Sequence, residues 1–157
     1  MKKILYVISL IILLSGCSKS NVKLDFNIIQ TNLNNLTYES KPMFGKNDMV
    51  DTQYLSDKYG FDSSNIEDSL ISMSKVVDSA SMYAIFLPKK GEKAEAKDAI
   101  EEFLTKYDQS WMMGYAPDQE LLVQNRLEEE YGDYLIYIIS NDNEKVLETI
   151  KGINKEG

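Results

Sequence analysis

The 157-residue sequence has no histidine and a single cysteine, Cys17. These two scarcities exclude a zinc site built from His and Cys ligands, a Ser-His-Asp triad and an internal disulfide. A glycine-rich phosphate loop and the known cofactor motifs are also missing from the sequence. The composition is otherwise that of a folded domain, with 43% hydrophobic and 27% charged residues, and the length suits one domain.

The N-terminus has the pattern of a secretion signal. Lys2 and Lys3 precede an apolar run over residues 4–14, which only Ser9 interrupts. Eleven helical residues reach about 16 Å, whereas the hydrocarbon core of a bilayer is about 30 Å thick. The run is too short to span a membrane, so residues 1–16 are predicted to be a cleaved signal peptide.

The end of this signal resembles the lipobox of bacterial lipoproteins, because Leu14, Ser15 and Gly16 precede Cys17. In that class the thiol receives a diacylglyceryl group, with chains of the palmitate type, and the cysteine becomes the new N-terminus. Two long acyl chains, at about 0.8 kcal/mol per buried methylene, give stable anchoring. We expect a lipid-anchored protein on the extracytoplasmic face of the cell membrane. The alternative is a plain secretion signal with an incidental cysteine.

The mature chain is strongly acidic. Removal of residues 1–16 takes away two lysines and no acid, which lowers the formal net charge from −8 to −10. That sign repels phosphate backbones and anionic headgroups, and the sequence has no run of Lys or Arg to offset it. Nucleic acid is therefore excluded as a partner.

After a lipidated tether over residues 17–24, residues 25–157 are predicted to form a single α+β domain. Apolar spacing and caps predict helices over residues 25–36, 51–59 and 92–113, a fourth from Pro117, and a last one that a capping box of Asn141 and Glu144 begins. Strands are predicted near residues 69–77, 82–87 and 134–139, and residues 37–50 are predicted to be a loop. The fold class is a small antiparallel sheet of about three strands packed with helices.

Two of these strands, over residues 82–87 and 134–139, are apolar at nearly every position. A strand with one solvated face should alternate with polar residues. Both faces of the sheet are therefore expected to be covered, by the chain's own helices or by a partner.

Carboxylates are the only abundant groups for catalysis. Candidate pairs are Asp48 with Asp51 and Asp118 with Glu120, but chance pairs are common among 25 acids. Residues 128–130 and 142–144 lack the ligand spacing of a calcium loop. They are interpreted as a solvated face at a helix end and as a helix start.

A cluster of aromatic and polar residues supplies the candidate contacts to a ligand or partner. Its members, which lie near Pro117 and Gly132, are Tyr115, Asn125, Arg126 and Tyr134. The simpler interpretation is that these residues serve the core and the turns.

From about residue 48 to 150, the chain resembles the bacterial lipoproteins that carry domain of unknown function 4358. The residues that carry this resemblance, beside the lipobox, are Tyr59, the strand at residues 82–86, Ala96, Phe103, Tyr115, Ala116, Pro117, Asn125, Gly132, Asp133, Tyr134 and residues 138–142. The resemblance implies an envelope protein of low-GC Gram-positive bacteria. It implies no activity, cofactor or catalytic residue.

Three functions remain open on the sequence. The first is a non-catalytic module that binds or scaffolds something at the outer membrane surface, with no cofactor. The second is a carboxylate-based hydrolase acting on wall or glycan material. The third is an accessory subunit of an envelope complex, held to a protein partner through the apolar strands.

Overall fold

The computed structural model describes residues 22–111 and 116–153. In these ranges the helices are α1 (Phe26–Asn34), α2 (Thr52–Tyr59), α3 (Lys93–Trp111), α4 (Pro117–Gln124) and α5 (Asn143–Lys151). The strands are β1 (Thr37–Tyr38), β2 (Lys41–Pro42), β3 (Asn47–Val50), β4 (Ile66–Ser74), β5 (Met82–Pro88), β6 (Leu127–Tyr131) and β7 (Tyr134–Ile139). The predicted signal peptide, Cys17 and Tyr115 lie outside these ranges.

The central sheet has five strands in the order β3-β4-β5-β7-β6, and every neighbouring pair is antiparallel. The α+β class is confirmed, but the expectation of about three strands is wrong. The two strands of this sheet that sequence patterns missed are its edges, and β1 and β2, which pair in a separate two-stranded sheet, were missed as well. β3 lies in the segment predicted to be a loop, where Pro42 and Gly45 suggested turns. β6 contains the acidic run that was interpreted as a helix end.

Local chemistry explains where the helices begin and end. Asp51 caps the start of α2 by accepting a 2.8 Å hydrogen bond from the backbone N–H of Tyr54. Gly60 ends α2 with φ at 68°, a left-handed conformation that glycine adopts without strain. The cap of α5 is Asp142, which accepts from the N–H of Lys145, and not Asn141. None of the described helices has the length and hydropathy needed to cross a bilayer.

Both faces of the central sheet are covered by the chain's own helices. Of the two alternatives predicted from the sequence, coverage by helices and coverage by a partner, the structure shows the first. Met82, Ala84 and Phe86 of β5 pack with residues of α2, α3 and α4 in a first core. The intervening Tyr83 and Ile85 pack with residues of α1 and α5 in a second core. Full burial of each large side chain contributes about 1.5–3 kcal/mol, so the two-sided strands need no partner to be stable.

The sheet has two distinct ends. We call one of them the tether end. There β4 and β7 begin and β5 ends, and Ile66 pairs with Pro88. At the end we call the far end, β4 finishes and β5 begins, with Met73 opposite Met82. Helix α3 starts at the tether end and runs its 19 residues toward the far end, a length of about 28 Å.

Candidate functional site

A cleft of about 540 Å³ opens at the far end of the sheet. Helix α2, the connection from β4 to β5 and the last turns of α3 form its walls. Its described lining residues are Lys58, Tyr59, Ser74, Lys75, Val76, Val77, Tyr107, Ser110, Trp111 and Ala116. This set combines apolar and aromatic surface with two cations and contains no acid.

The floor of the cleft is aromatic because of helical spacing. Tyr107 and Trp111 lie four residues apart on α3, so their rings share one face of the helix, with centroids 6.2 Å apart. Tyr59, at the end of α2, stands edge-on to Tyr107 at 5.9 Å. Burial raises the pKa of both tyrosines above the ordinary value, so the floor is uncharged at physiological pH.

One wall of the cleft is fixed to α3 and α4 through a single residue. The backbone carbonyl of Ala80 accepts a 3.0 Å hydrogen bond from the hydroxyl of Tyr107. The backbone N–H of Ala80 donates to Oε1 of Gln119 at 2.9 Å. These two bonds hold the connection from β4 to β5 against two helices.

The lip of the cleft exposes apolar surface. Val76 is 46% exposed and Val77 is 73% exposed, on the connection just after β4. Neither side chain belongs to the two cores. Exposed apolar side chains beside a concave surface are characteristic of binding sites.

Two lysines stand at the rim. Nζ of Lys58 lies 5.3 Å from the ring centroid of Tyr59 and 5.6 Å from that of Tyr54, while Nζ of Lys75 lies 5.1 Å from Tyr54. Burial opposes the charge of Lys58, but the hydrogen bond with the Tyr54 hydroxyl and the nearby Tyr59 raise its pKa overall. Two cations therefore stand at the rim of a cleft on a strongly acidic protein, and one of them, Lys75, also contacts Asp48 at 3.7 Å.

The predicted carboxylate pairs do not meet in this cleft. Asp48 lies 3.7 Å from Lys75 in an exposed contact, and Asp51 is used as the cap of α2. Asp118 and Glu120 occupy the first turn of α4, where acids interact favourably with the helix dipole. None of the four is among the described lining residues.

The acidic run at residues 128–130 is paired with cations on both faces of β6, because alternate side chains of a strand point to opposite sides. Oxygens of Glu130 lie 2.9 Å from Nζ of Lys93 and 2.7 Å from Nζ of Lys97, while Glu129 contacts Lys151 on the other face. Hydrogen bonds from Lys97 and Lys93 lower the pKa of Glu130 to about 2. Across the described ranges, no group of three His, Cys, Asp or Glu side chains is placed to hold a metal ion.

Comparison with known families gives two matches. A model described as a domain of unknown function (DUF4358) matches residues 41–140, which is more than half of the chain. The chain belongs to the DUF4358 family. A model of the prokaryotic membrane lipoprotein lipid attachment site matches residues 1–18, which include Cys17. Comparisons with curated proteins and with solved structures give no match.

The DUF4358 match contains the whole five-stranded sheet with α2, α3 and α4. The described lining of the cleft also falls inside it. Helices α1 and α5, which cover the other face, lie outside the matched residues. The chain is thus a DUF4358 lipoprotein, anchored to a membrane through its N-terminal lipid attachment site.

The structure separates the candidate contact residues named from the sequence. Arg126 joins α3 to β6, with Nη1 2.6 Å from Asp108 and Nε 2.9 Å from Glu128. The carbonyl of Asn125 accepts a hydrogen bond from the side-chain amide of Asn143. Tyr134 lies in the second core at the tether end, and Tyr115 lies outside the described residues. Asn125 and Arg126 are neighbours that make structural contacts where β6 begins, whereas Tyr134 lies at the opposite end of the sheet, so the described three do not form one site.

Sequence reasoning missed the residues of the cleft in this DUF4358 lipoprotein. Lys75 and Val77 fall inside the strand predicted near residues 69–77, whereas the observed strand ends at Ser74. The sequence feature that could have predicted the cleft is the pair of valines between Lys75 and Asp78. Two apolar residues in a polar turn do not pack in a core, and both are exposed in the structure.

Proposed function

We propose that this DUF4358 lipoprotein is a non-catalytic binding module on the extracytoplasmic face of the membrane. Its cleft takes a ligand that combines an apolar or aromatic body with an anionic group. The observation that carries this proposal is that one cleft is lined by Lys58 and Lys75 together with the rings of Tyr59, Tyr107 and Trp111.

The two parts of the cleft suit the two parts of such a ligand. Aromatic rings offer large, rigid surfaces on which an apolar body can stack, and Val76 and Val77 extend that surface at the lip. The ammonium groups of Lys58 and Lys75 favour an anion at the rim. The protein as a whole repels anions, so the local reversal of charge makes the cleft selective.

Binding accounts for the lining better than hydrolysis does. A two-carboxylate mechanism needs acids that converge on one cleft, and the described lining contributes none. The accessory-subunit hypothesis rested on apolar strands that the chain's own helices cover. We therefore expect no release of soluble fragments when the protein is incubated with purified wall material.

Two dyes that differ by one charged group test the proposal. 8-Anilinonaphthalene-1-sulfonate carries a sulfonate on the ring system of neutral N-phenyl-1-naphthylamine. Fluorescence titration of the mature protein, made without its acyl chains, should show tighter binding of the sulfonate. Replacing Lys58 and Lys75 together by Gln should weaken sulfonate binding by about three- to tenfold and leave the neutral dye unchanged.

Two further variants complete the test. Trp111→Ala should weaken the binding of both dyes, because it removes part of the shared floor. The matched control replaces Lys89 and Lys90 by Gln, which makes the same change of charge at the opposite end of the sheet. Equal affinity for the two dyes, or an equal loss in the control, would contradict the proposal.

A further inference from the structure

We propose that the short N-terminal tether orients the domain on the membrane. The tether end of the sheet lies at the lipid surface, and the far end with its cleft points away from it. This inference rests on the lipid anchor and on the packing of residues 22–24, and it holds whatever the cleft binds.

The chain enters the domain at the tether end, where it is held firmly. Leu24 is only 8% exposed and packs in the second core, although the sequence places it in the tether. Its backbone N–H donates a 3.2 Å hydrogen bond to the hydroxyl of Tyr134, the first residue of β7. Val22 lies against Gly132, where a Cβ would come within 2.7 Å of the Val22 side chain.

Gly132 is required at this contact for two reasons. Its φ is +62°, a conformation that side chains rarely adopt, and there is no room for a Cβ beside Val22. The turn between β6 and β7 therefore packs directly against Val22, where the chain passes from the tether into the domain.

The length of the tether limits the orientations that the domain can adopt on the membrane. Four residues lie between Cys17 and Val22, and the five Cα–Cα steps that join them allow about 17 Å at full extension. Helix α3, with 19 residues, is about 28 Å long. Its first residue is at the tether end, since Nζ of Lys93 contacts the carbonyl of Gly132 at 3.1 Å. An inverted domain would put Val22 farther from the bilayer than the tether reaches.

The surface at the tether end fits contact with lipid headgroups. The lining of a groove there includes Lys89, Lys90 and Lys93 together with Glu67 and Asp133. Lys89 and Lys90 are exposed in the turn from β5 to α3, while Glu67 and Asp133 offset part of their charge. Lys89 and Lys90 favour contact with an anionic surface at this end. Because Lys58 and Lys75 give the far end cations as well, the reach of the tether, and not charge, selects the tether end.

The single cysteine makes a direct test possible. Because Cys17 is consumed by acylation, a cysteine introduced elsewhere is the sole free thiol. Lys90→Cys at the tether end and Val77→Cys at the far end, both exposed, would carry the same fluorophore on the acylated protein in phosphatidylcholine–phosphatidylglycerol vesicles. Lipids with a nitroxide on the headgroup should quench the label at position 90 at least threefold more strongly than the label at position 77.

Equal quenching at the two positions, or stronger quenching at position 77, would overturn the proposed orientation. A lengthened tether tests its cause. Fifteen Gly and Ser residues inserted between Cys17 and Val22 give a flexible span of about 25 Å, so the difference between the labels should shrink. An undiminished difference would overturn the role of tether length. Neither result depends on dye binding in the cleft, so this inference and the proposed function fail separately.

Discussion

The hydroxyl of Tyr107 donates a 3.0 Å hydrogen bond to the backbone carbonyl of Ala80, and this bond ties α3 to the connection between β4 and β5. Tyr107 is 2% exposed, and its ring is also part of the cleft floor. One side chain therefore sets both the position of a helix and the shape of the candidate site.

The first prediction concerns this bond. Tyr107→Phe keeps the ring but leaves the buried carbonyl of Ala80 without this donor, which should lower the free energy of unfolding by about 1–2 kcal/mol. Urea denaturation measures the change. Tyr38→Phe, at a residue that is 40% exposed, is the control and should have little effect. A Tyr107→Phe protein as stable as the parent would show that the bond contributes nothing.

Arg126 is predicted to be structural and not a ligand contact. Its side chain is 14% exposed and pairs with Asp108 and Glu128. Arg126→Ala should lower the free energy of unfolding by about 1–3 kcal/mol, because a partly buried acid loses its partner. The affinity of the folded protein for the sulfonate dye should not change. A loss of dye affinity without a loss of stability would restore Arg126 as a binding residue.

The pairing of Glu130 predicts a dependence of stability on pH. Lys97 and Lys93 lower the pKa of this carboxyl from 4.5 to about 2 in the folded protein. A depressed pKa stabilises the fold above the unfolded-state value, and the contribution is lost as the pH falls from about 4.5 toward 2. Glu130→Gln should flatten the fall in the melting temperature over this interval.

Salt provides the internal control for that experiment. Both lysines that contact Glu130 are partly exposed, so added salt should screen the pairs and flatten the profile of the parent protein as well. If Glu130→Gln and the parent lose stability equally over this interval, the ion pairs do not contribute.

Membrane attachment is predicted to depend on one thiol. Cys17→Ala should move the protein from the membrane fraction to the soluble fraction, because the acyl chains supply the anchoring energy. Ser18→Ala, next to the attachment residue, should leave the protein in the membrane fraction. Fractionation of washed membranes with an antibody measures both. An unchanged distribution for Cys17→Ala would mean that something other than lipid holds the protein.

The sequence predicted the interior of the fold well. Strands β5 and β7 and helix α3 were found because each carries a strong local pattern: continuous apolar residues in the strands, and one apolar face on the helix. Gly60 marked the end of α2 for a local reason too, its left-handed φ. Patterns of this kind depend only on neighbours within a few residues.

The edges and the cleft could not be found in that way. β3 is a strand because Asn47 pairs with Ser74, a partner distant in the sequence, and none of its four residues is buried. The acids of β6 have low strand propensity, and their alternation in burial appears only once β7 is beside them. Lys58 and Lys75 converge on Tyr54 through the packing of α2 beside β4, which no local pattern records.

The acids of β6 have a consequence for proteins crowded in one plane. Lipid-anchored copies meet side by side, where an unpaired strand edge could continue its sheet into a neighbour. Glu128 and Glu130 stand exposed along that edge, in ion pairs with Arg126, Lys93 and Lys97, and an edge strand that carries charged side chains is a poor template for another chain. We therefore expect little edge-to-edge pairing through β6 between neighbouring copies on a membrane.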